Sequence, residues 1–236
     1  MNTNSLKLCA WTGPIFVIMF LFGFVALAGF LPPPSPSLNA DEIASLYSQN
    51  SLMIRSGLVI MMIALALLIP FLAAIAARMR HMNNHSPVLI ITFLLSAAAT
   101  TALLYIIVCA WGVASFRPER LADVTQAFND FAFIMLIWPV SLIPVSYIAL
   151  GISILNDNRQ QPVFPRWFGF FNFWMALLAY GGALLIFFTH GPFAWNGLIA
   201  FWIPAFAFFG WYIVAAIVLI QSVNCEIRNN KIAERN

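Results

Sequence analysis

Residues 88–113 read VLIITFLLSAAATTALLYIIVCAWGV, a run that contains no Asp, Glu, Lys, Arg or His. An α-helix rises about 1.5 Å per residue, so roughly 20 apolar residues cross the ~30 Å hydrocarbon core of a bilayer. The run is longer than that and lacks the polar and apolar alternation of a membrane barrel strand. It therefore predicts a membrane-spanning α-helix.

Similar runs recur along the 236-residue chain, of which 62% is hydrophobic and only 8% is charged. Soluble domains are about 25% charged, so a soluble globule of this composition would lack a charged surface. We predict an all-α membrane bundle with one transmembrane domain over 1–236 and six helices arranged as three hairpins. The predicted spans are about 10–31, 56–77, 88–113, 131–155, 167–189 and 197–223.

The first run has an alternative interpretation as a signal peptide, because Ala26-Leu27-Ala28 resembles a cleavage site and Lys7 precedes the run. The apolar segment from Leu8 to Leu31 is longer than an ordinary signal core. A retained span is therefore favoured.

Lys and Arg residues indicate the orientation, because short cytoplasmic loops carry an excess of them. With the N-terminus inside, the inner face holds Lys7, Arg78, Arg80, Arg159, Arg166, Arg228, Lys231 and Arg235, and the outer face holds Arg55, Arg117 and Arg120. Both termini are therefore predicted to be cytoplasmic. The net charge of +3 reflects this bias. A basic stripe typical of nucleic-acid binding is missing, so no nucleic-acid partner is expected.

The connector after the first predicted span reads FLPPPSPSLNADEIASLYSQN, residues 30–50. Its prolines end the first helix and stiffen the path that follows. Asn39 lies three residues before Glu42, the spacing of an N-cap with its reciprocal acid. The connector predicts a rigid spacer and a short amphipathic helix from Asn39 to Asn50 rather than a disordered linker. The residues expected to face inward, toward the loop of Trp195 or that of Leu121, are Ile43, Leu46 and Tyr47.

The second external connector reads FRPERLADVTQAFND, residues 116–130. Pro118 should end the third span, and a second short amphipathic helix should present Leu121, Val124 and Phe128 on one face. The third external connector, THGPFAWNG at residues 189–197, is shorter.

Several segments resemble the motifs of a family of uncharacterised bacterial six-span membrane proteins. They are LPPPSPSLNADEIASLYSQN with Ile54-Arg55-Ser56-Gly57, then FRPER, PVFPRW and GPFAWNG. The similarity covers most of the chain. The family has no established activity, so the resemblance implies a multi-pass protein of the bacterial inner membrane and no particular chemistry.

The predicted spans contain no ionisable side chain, which ion-coupled transport, a retinal Schiff base, haem or a metal centre would need. No cofactor and no metal site are therefore expected. His81 and His85 lie four residues apart, but Asn83, Asn84 and Pro87 favour a turn with solvated histidines over a metal pair. The sequence has no GxSxG motif, and no histidine lies at the depth of the intramembrane serines, so we do not expect an enzyme.

Polar chemistry concentrates on the predicted external face, where carboxylates and arginines would form a salt-bridged cap, a docking face or the mouth of a pocket. The candidate binding residues there are Tyr47, Asn50, Arg55, Arg117, Glu119, Asp130, Trp195 and Asn196. Asn172 is the one strongly polar side chain well inside a predicted span, and it either cross-links helices or contacts a ligand.

Two functions fit this pattern. The first is a non-catalytic accessory or scaffold subunit that meets other membrane proteins in the bilayer through small residues such as those at 96–102. The alternative is a binder or passive facilitator of a small apolar or amphipathic, lipid-like molecule with an external mouth. A third, an intramembrane enzyme, is disfavoured by the missing ligands and bases.

Overall fold

A computed structural model describes residues 3–117 and 119–233, with residues 229–233 described by their backbone alone. The described residues form helices and contain no β-strand. The α-helices are α1 (Thr3–Leu21), α2 (Ala40–Gln49), α3 (Ser51–Ala66), α4 (Leu68–Met79), α5 (Pro87–Phe116), α6 (Ala122–Ile137), α7 (Leu142–Leu155), α8 (Arg166–Ala179) and α9 (Ile203–Ala233). Two π-helical segments, Phe22–Leu27 and Leu198–Trp202, and a 3₁₀ segment, Tyr180–Phe187, extend α1, α9 and α8.

Six stretches are long and apolar enough to cross a membrane, which confirms the all-helical, six-span fold. Spans 1 to 6 are Thr3–Leu27, Ser51–Met79, Pro87–Phe116, Ala122–Leu155, Arg166–Phe187 and Leu198–Arg228. The chain is therefore a multi-pass membrane protein. The grouping into three hairpins stays a prediction, because α7 packs against α8 and α1 against α9, across the predicted hairpin boundaries.

The fourth span differs most from its prediction. The separate amphipathic helix expected before residue 131 does not exist, because α6 runs unbroken from Ala122 to Ile137. No Gly or Pro occurs from residue 119 until Pro139, so nothing in the backbone stops the helix earlier. Of the three residues predicted to share a face, Leu121 is 77% exposed, and Val124 and Phe128 are half-buried. The fully buried residues of this segment are Thr125 and Asn129.

Three residues used in the predictions have no described side chain. Pro118, expected to end the third span, and Arg235, one of the inner cations, are outside the described residues, and the side chain of Lys231 is not described.

The connector after span 1 is folded. The predicted N-cap is present as a reciprocal capping box, in which the Glu42 amide donates to Asn39 Oδ1 at 3.0 Å and the Asn39 amide donates to Glu42 Oε2 at 2.8 Å. The α2 helix packs against α6, and its Ile43 and Tyr47 are buried. Gly57 of the Ile54-Arg55-Ser56-Gly57 motif lets spans 1 and 2 touch, because a Cβ there would lie 2.5 Å from the Gly23 carbonyl oxygen.

The connectors meet at opposite ends of the bundle. Those after spans 1, 3 and 5 share one end, where Gln126 Nε2 donates to the Leu38 carbonyl at 3.1 Å and Trp195 contacts Pro34. We call this the α2 end. The connectors after spans 2 and 4 share the other, where the Asn83 amide donates to Asp157. We call this the Asp157 end.

Candidate functional site

Aromatic rings fill the α2 end of the bundle. Trp111 lies between Phe30 and Phe133, with ring centroids 5.0 and 5.3 Å away, and Phe133 stacks on Trp195 at 5.9 Å. Tyr47 closes the group against Phe30 at 6.0 Å. These five residues, the α2 aromatic cluster, come from three helices and two connectors. Ring contacts at these distances add to the stabilisation from burial alone, so the cluster fixes the two connectors onto the spans.

A chain of polar groups leads from this cluster to the surface. The Tyr47 hydroxyl donates to Asn129 Oδ1 at 3.1 Å, and Asn129 Nδ2 donates to Asp130 Oδ1 at 3.1 Å. Burial raises the pKa of Tyr47 well above its usual value, and the charge of Asp130 raises it further. Tyr47 therefore stays protonated and acts as a donor. Asn129 is fully buried, and its sequence position beside Asp130 gave no sign of that.

Two arginines at the α2 end, Arg55 and Arg120, bind backbone oxygens at the C-terminus of α5. Arg55 Nε and Nη2 donate to the Ser115 carbonyl at 2.9 and 2.6 Å, and Nη2 also donates to the Phe116 carbonyl at 2.9 Å. Arg120 Nη1 donates to the Val113 carbonyl at 3.2 Å. Cations are favourable at a helix C-terminus, where carbonyls lack intrahelical partners.

The salt-bridged cap, one of the three arrangements considered for this end, is not formed by the described residues. Among the described residues the ion pairs are Arg78–Glu226 and Arg159–Asp157, both at the Asp157 end. Arg55 finds its partners in helix carbonyls instead, and the carboxylate of Glu42 caps its own helix. The backbone oxygens at the end of α5 replace the acids as partners because α5 ends beside Arg55.

The predicted binding residues do not converge on one pocket. Tyr47 and Asp130 belong to the polar chain, and Trp195 is bonded to Pro34. Asn50 and Glu119 are exposed, and Asn196 is half-buried. Arg55 and Arg117 alone of this set line a common groove, between α3 and α5.

Asn172 is a cross-link between helices. Its Oδ1 accepts from Trp211 Nε1 at 2.9 Å, and its Nδ2 donates to the Phe168 carbonyl at 2.6 Å. The side chain is fully buried between α8 and α9. Of the two interpretations, the structure shows the helix contact.

The helices extend beyond the predicted bounds of the spans, so their added parts contain ionisable groups. Arg55 and Arg78 fall in span 2, Asp130 falls in span 4 and Glu226 falls in span 6. Arg78 is 5% exposed, pairs with Glu226 and donates to Ser222 Oγ at 2.8 Å. These contacts tie span 2 to span 6 at the Asp157 end.

Asp157 organises the connectors at its end. Its carboxylate accepts from the Asn83 amide at 3.1 Å, the Val163 amide at 2.9 Å and Arg159 Nε at 3.0 Å. Burial raises the pKa of Asp157, but the hydrogen bonds from Arg159, Val163 and Asn83 outweigh it and hold the pKa below its usual value. Asp157 is therefore a structural anchor.

A cavity of about 140 Å³ lies where spans 4, 5 and 6 are all irregular. Span 4 is interrupted between α6 and α7 at residues 138–141, span 5 changes to a 3₁₀ helix at Tyr180, and span 6 begins as a π-helix before Pro204. The cavity, which we call the break cavity, is lined mainly by apolar side chains, among them Ile137, Pro139, Val140, Ala179, Ala200 and Pro204. Irregular backbone at membrane depth is tolerated where it is buried or lines a cavity.

Two glycines permit this arrangement. A Cβ on Gly182 would lie 2.5 Å from Ile137 Cγ2 and 2.9 Å from the Ile137 carbonyl oxygen. A Cβ on Gly181 would collide with the Ile199 carbonyl oxygen. The 3₁₀ segment of span 5 therefore passes between the interrupted parts of spans 4 and 6 only because neither residue has a side chain.

The break cavity offers few polar groups. Thr100 Oγ1 donates to the Ser96 carbonyl at 3.0 Å and is thus already paired. Tyr147 also lines the cavity and is 3% exposed, and its hydroxyl makes no hydrogen bond to any described residue. Ligand pockets in proteins typically combine apolar walls with a small number of placed polar groups. Thr100 and Tyr147 are the lining residues that carry a hydroxyl group.

Within the described parts of the chain, no cluster of three or more His, Cys, Asp or Glu residues is arranged to hold a metal ion. Comparisons of the chain with family models, curated proteins and solved structures find no match.

Proposed function

We propose that this protein binds a small apolar or amphipathic molecule in the break cavity, without catalysing a reaction. The observation that carries the proposal is the coincidence of three irregular spans with one apolar cavity, whose lining includes Tyr147. Span 4 is interrupted here, and spans 5 and 6 change to 3₁₀ and π-helical geometry, which is rarer and less favourable than a continuous α-helix.

The size and lining of the cavity define the ligand class. Apolar cavities of about 150 Å³ stay dry and hold a molecule such as benzene. The ~140 Å³ break cavity therefore suits a ring of that size or the end of a longer acyl or isoprenoid chain. A ligand with one hydrogen-bond acceptor would pair with Tyr147. Leu136, Pro139 and Val140 are partly exposed, so a longer chain would leave the cavity toward the bilayer rather than through the predicted external mouth.

The proposed location is the bacterial inner membrane, with both termini in the cytoplasm. The resemblance to a bacterial six-span family supports the membrane, and the eight-to-three distribution of Lys and Arg supports the orientation. On this orientation the Asp157 end faces the cytoplasm and the α2 end faces outward. A C-terminal fluorescent protein fusion should therefore be bright, and an alkaline phosphatase fusion at the same position should be inactive.

Extraction of the bound molecule tests the proposal. The full chain is purified in a mild detergent, the protein is extracted with organic solvent, and the extract is analysed by mass spectrometry. We expect one molecule of the proposed class in a near-stoichiometric amount. The Ala205→Leu variant, which places a larger side chain in the cavity, should lose it, whereas Ala102→Leu, at an exposed position on α5, should keep it. Equal amounts from both variants would contradict the proposal.

A separate observation favours the second candidate, an accessory subunit that contacts other membrane proteins. Ala98, Ala99 and Ala102 of α5 and Ala73 of α4 are exposed instead of packing inside the bundle. Small residues on a lipid-facing helix allow another helix to approach closely. This candidate predicts that a partner protein copurifies in a stoichiometric amount with the unaltered chain. The Ala98→Leu variant should lose that partner, and the control variant Ala205→Leu should keep it. A protein retained equally by both variants would count against this surface.

A further inference from the structure

The groove between α3 and α5 lies apart from the break cavity, and the two share no lining residue. It has a volume of about 720 Å³. Most of its length is apolar, with Leu58, Val59 and Met62 on one wall and Val108 and Val113 on the other. At the α2 end it is bordered by three arginines, Arg55, Arg117 and Arg120, and no carboxylate occurs among its described lining residues.

The arginines retain unused donors. Arg55 donates from Nε and Nη2 to the carbonyls at the end of α5, and Arg120 donates from Nη1 to the Val113 carbonyl. Arg117 is exposed, and its guanidinium lies 5.9 Å from the centroid of the Phe116 ring. Because a guanidinium has five N–H donors, each arginine can bind a further acceptor. None of the three forms an ion pair with a described residue, so their charges are not neutralised by a protein carboxylate. The nearest acid in sequence, Glu119, is exposed and does not line the groove.

We propose that this groove binds an anionic phospholipid, with its phosphate at the three arginines and an acyl chain along the apolar walls. The groove opens on the outer surface of two membrane spans, where lipid chains would run parallel to the helices. Arginine binds phosphate oxygens with strong, charge-assisted hydrogen bonds. Basic pockets at the ends of membrane helices attract anionic headgroups, and each cation near the surface contributes about fivefold in affinity. A zwitterionic lipid fits the same walls but gains less from the charges.

Native mass spectrometry of the full chain in detergent tests this site. The probes are phosphatidylglycerol, phosphatidylcholine with the same acyl chains, and soluble glycerol 3-phosphate. We expect phosphatidylglycerol to bind more tightly than phosphatidylcholine. The Arg117→Gln/Arg120→Gln variant should weaken phosphatidylglycerol roughly 25-fold, at about fivefold per arginine. The matched control, Arg80→Gln/Arg166→Gln, removes two exposed cations at the Asp157 end and should change little.

Two further variants keep the test decisive. If the double variant fails to fold, the single Arg117→Gln variant replaces it, because the Arg117 side chain makes no hydrogen bond to a described residue. Gly112→Leu fills the groove, since a Cβ at Gly112 meets nothing within 4 Å, and should weaken both lipids. Equal binding of the two lipids to the unaltered protein would overturn the proposal. So would an equal loss in the control, or displacement of the lipid by glycerol 3-phosphate at the same concentration, which would indicate a phosphate site.

Discussion

Trp195 joins the connector after span 5 to the proline segment after span 1, because its indole Nε1 donates to the Pro34 carbonyl oxygen at 2.6 Å across 161 residues of chain. Pro34, which carries this acceptor, is buried. Phe at position 195 would preserve the stacking on Phe133 but leave this acceptor unpaired. A buried unpaired polar group costs about 1–3 kcal/mol.

We therefore expect Trp195→Phe to lower the free energy of unfolding by about 1–3 kcal/mol. Thermal unfolding in detergent, followed by tryptophan fluorescence, measures the change. Trp174→Phe is the control, since Trp174 is 58% exposed and its replacement should change the stability of the fold much less. If the two variants unfold at the same temperature, the contact does not hold the connectors together.

Tyr47 gives a prediction about alkaline pH. The pKa of Tyr47 is raised in the folded protein, mainly by burial. Above about pH 10, the ordinary pKa of tyrosine, the unfolded chain loses the proton while the folded protein keeps it. The stabilisation that the Tyr47 hydroxyl provides is therefore complete below that pH and declines as the pH rises.

Tyr47→Phe should destabilise the protein at neutral pH, by about 1–3 kcal/mol, because Asn129 Oδ1 loses its donor. The difference from the unaltered protein should shrink above about pH 10. Unfolding by denaturant at several pH values measures it, with Tyr180→Phe as a control at an exposed position. A difference that stays constant with pH would contradict the burial of this hydroxyl.

Asp157 gives the opposite dependence. Its pKa is lowered in the folded protein, so its contribution is complete above about pH 3.9, the ordinary value, and is lost as the pH falls further. Asp157→Asn should cost about 1.5–3 kcal/mol at neutral pH, since charge-assisted hydrogen bonds are lost. The cost should diminish below pH ~4. Asp123→Asn, at an exposed position in the first turn of α6, is the control and should cost no more than about 1 kcal/mol.

Gly182 of span 5 gives a prediction about the close contact between spans 4 and 5. Gly182→Ala would place a methyl group 2.9 Å from the Ile137 carbonyl oxygen, so spans 4 and 5 must separate. Overpacking of this kind costs about 1–3 kcal/mol. Gly112→Ala meets nothing within 4 Å and lies inside a helix, so it should stabilise the protein by about 0.5–1 kcal/mol. We expect the unfolding temperature to fall in Gly182→Ala and to rise in Gly112→Ala. A change in the same direction in both variants would contradict the close approach at Gly182.

Local patterns predicted the elements that depend on local forces. The charge-free runs predicted the spans because the length of an apolar run is itself the requirement for crossing a bilayer. Asn39 and Glu42 predicted their capping box because the two residues satisfy each other's backbone amides.

Long-range packing determined the rest. A carboxylate was one possible partner for Arg55, and the end of α5 supplies its partners instead. The break cavity depends on Pro139, Gly182 and Pro204, which are distant in sequence and meet only in the folded bundle. No pattern within one span shows that its irregular part faces those of two others. The burial of Asn129 follows likewise from Tyr47, 82 residues away.

The most direct test of the proposed function is a density map of the purified full chain at a resolution that shows individual side chains. For the unaltered protein the account predicts ordered non-protein density in the break cavity, with one end within hydrogen-bond distance of the Tyr147 hydroxyl. The Ala205→Leu variant should show the same fold and no such density. An empty cavity in the unaltered protein, or identical density in the variant, would contradict ligand binding at this site.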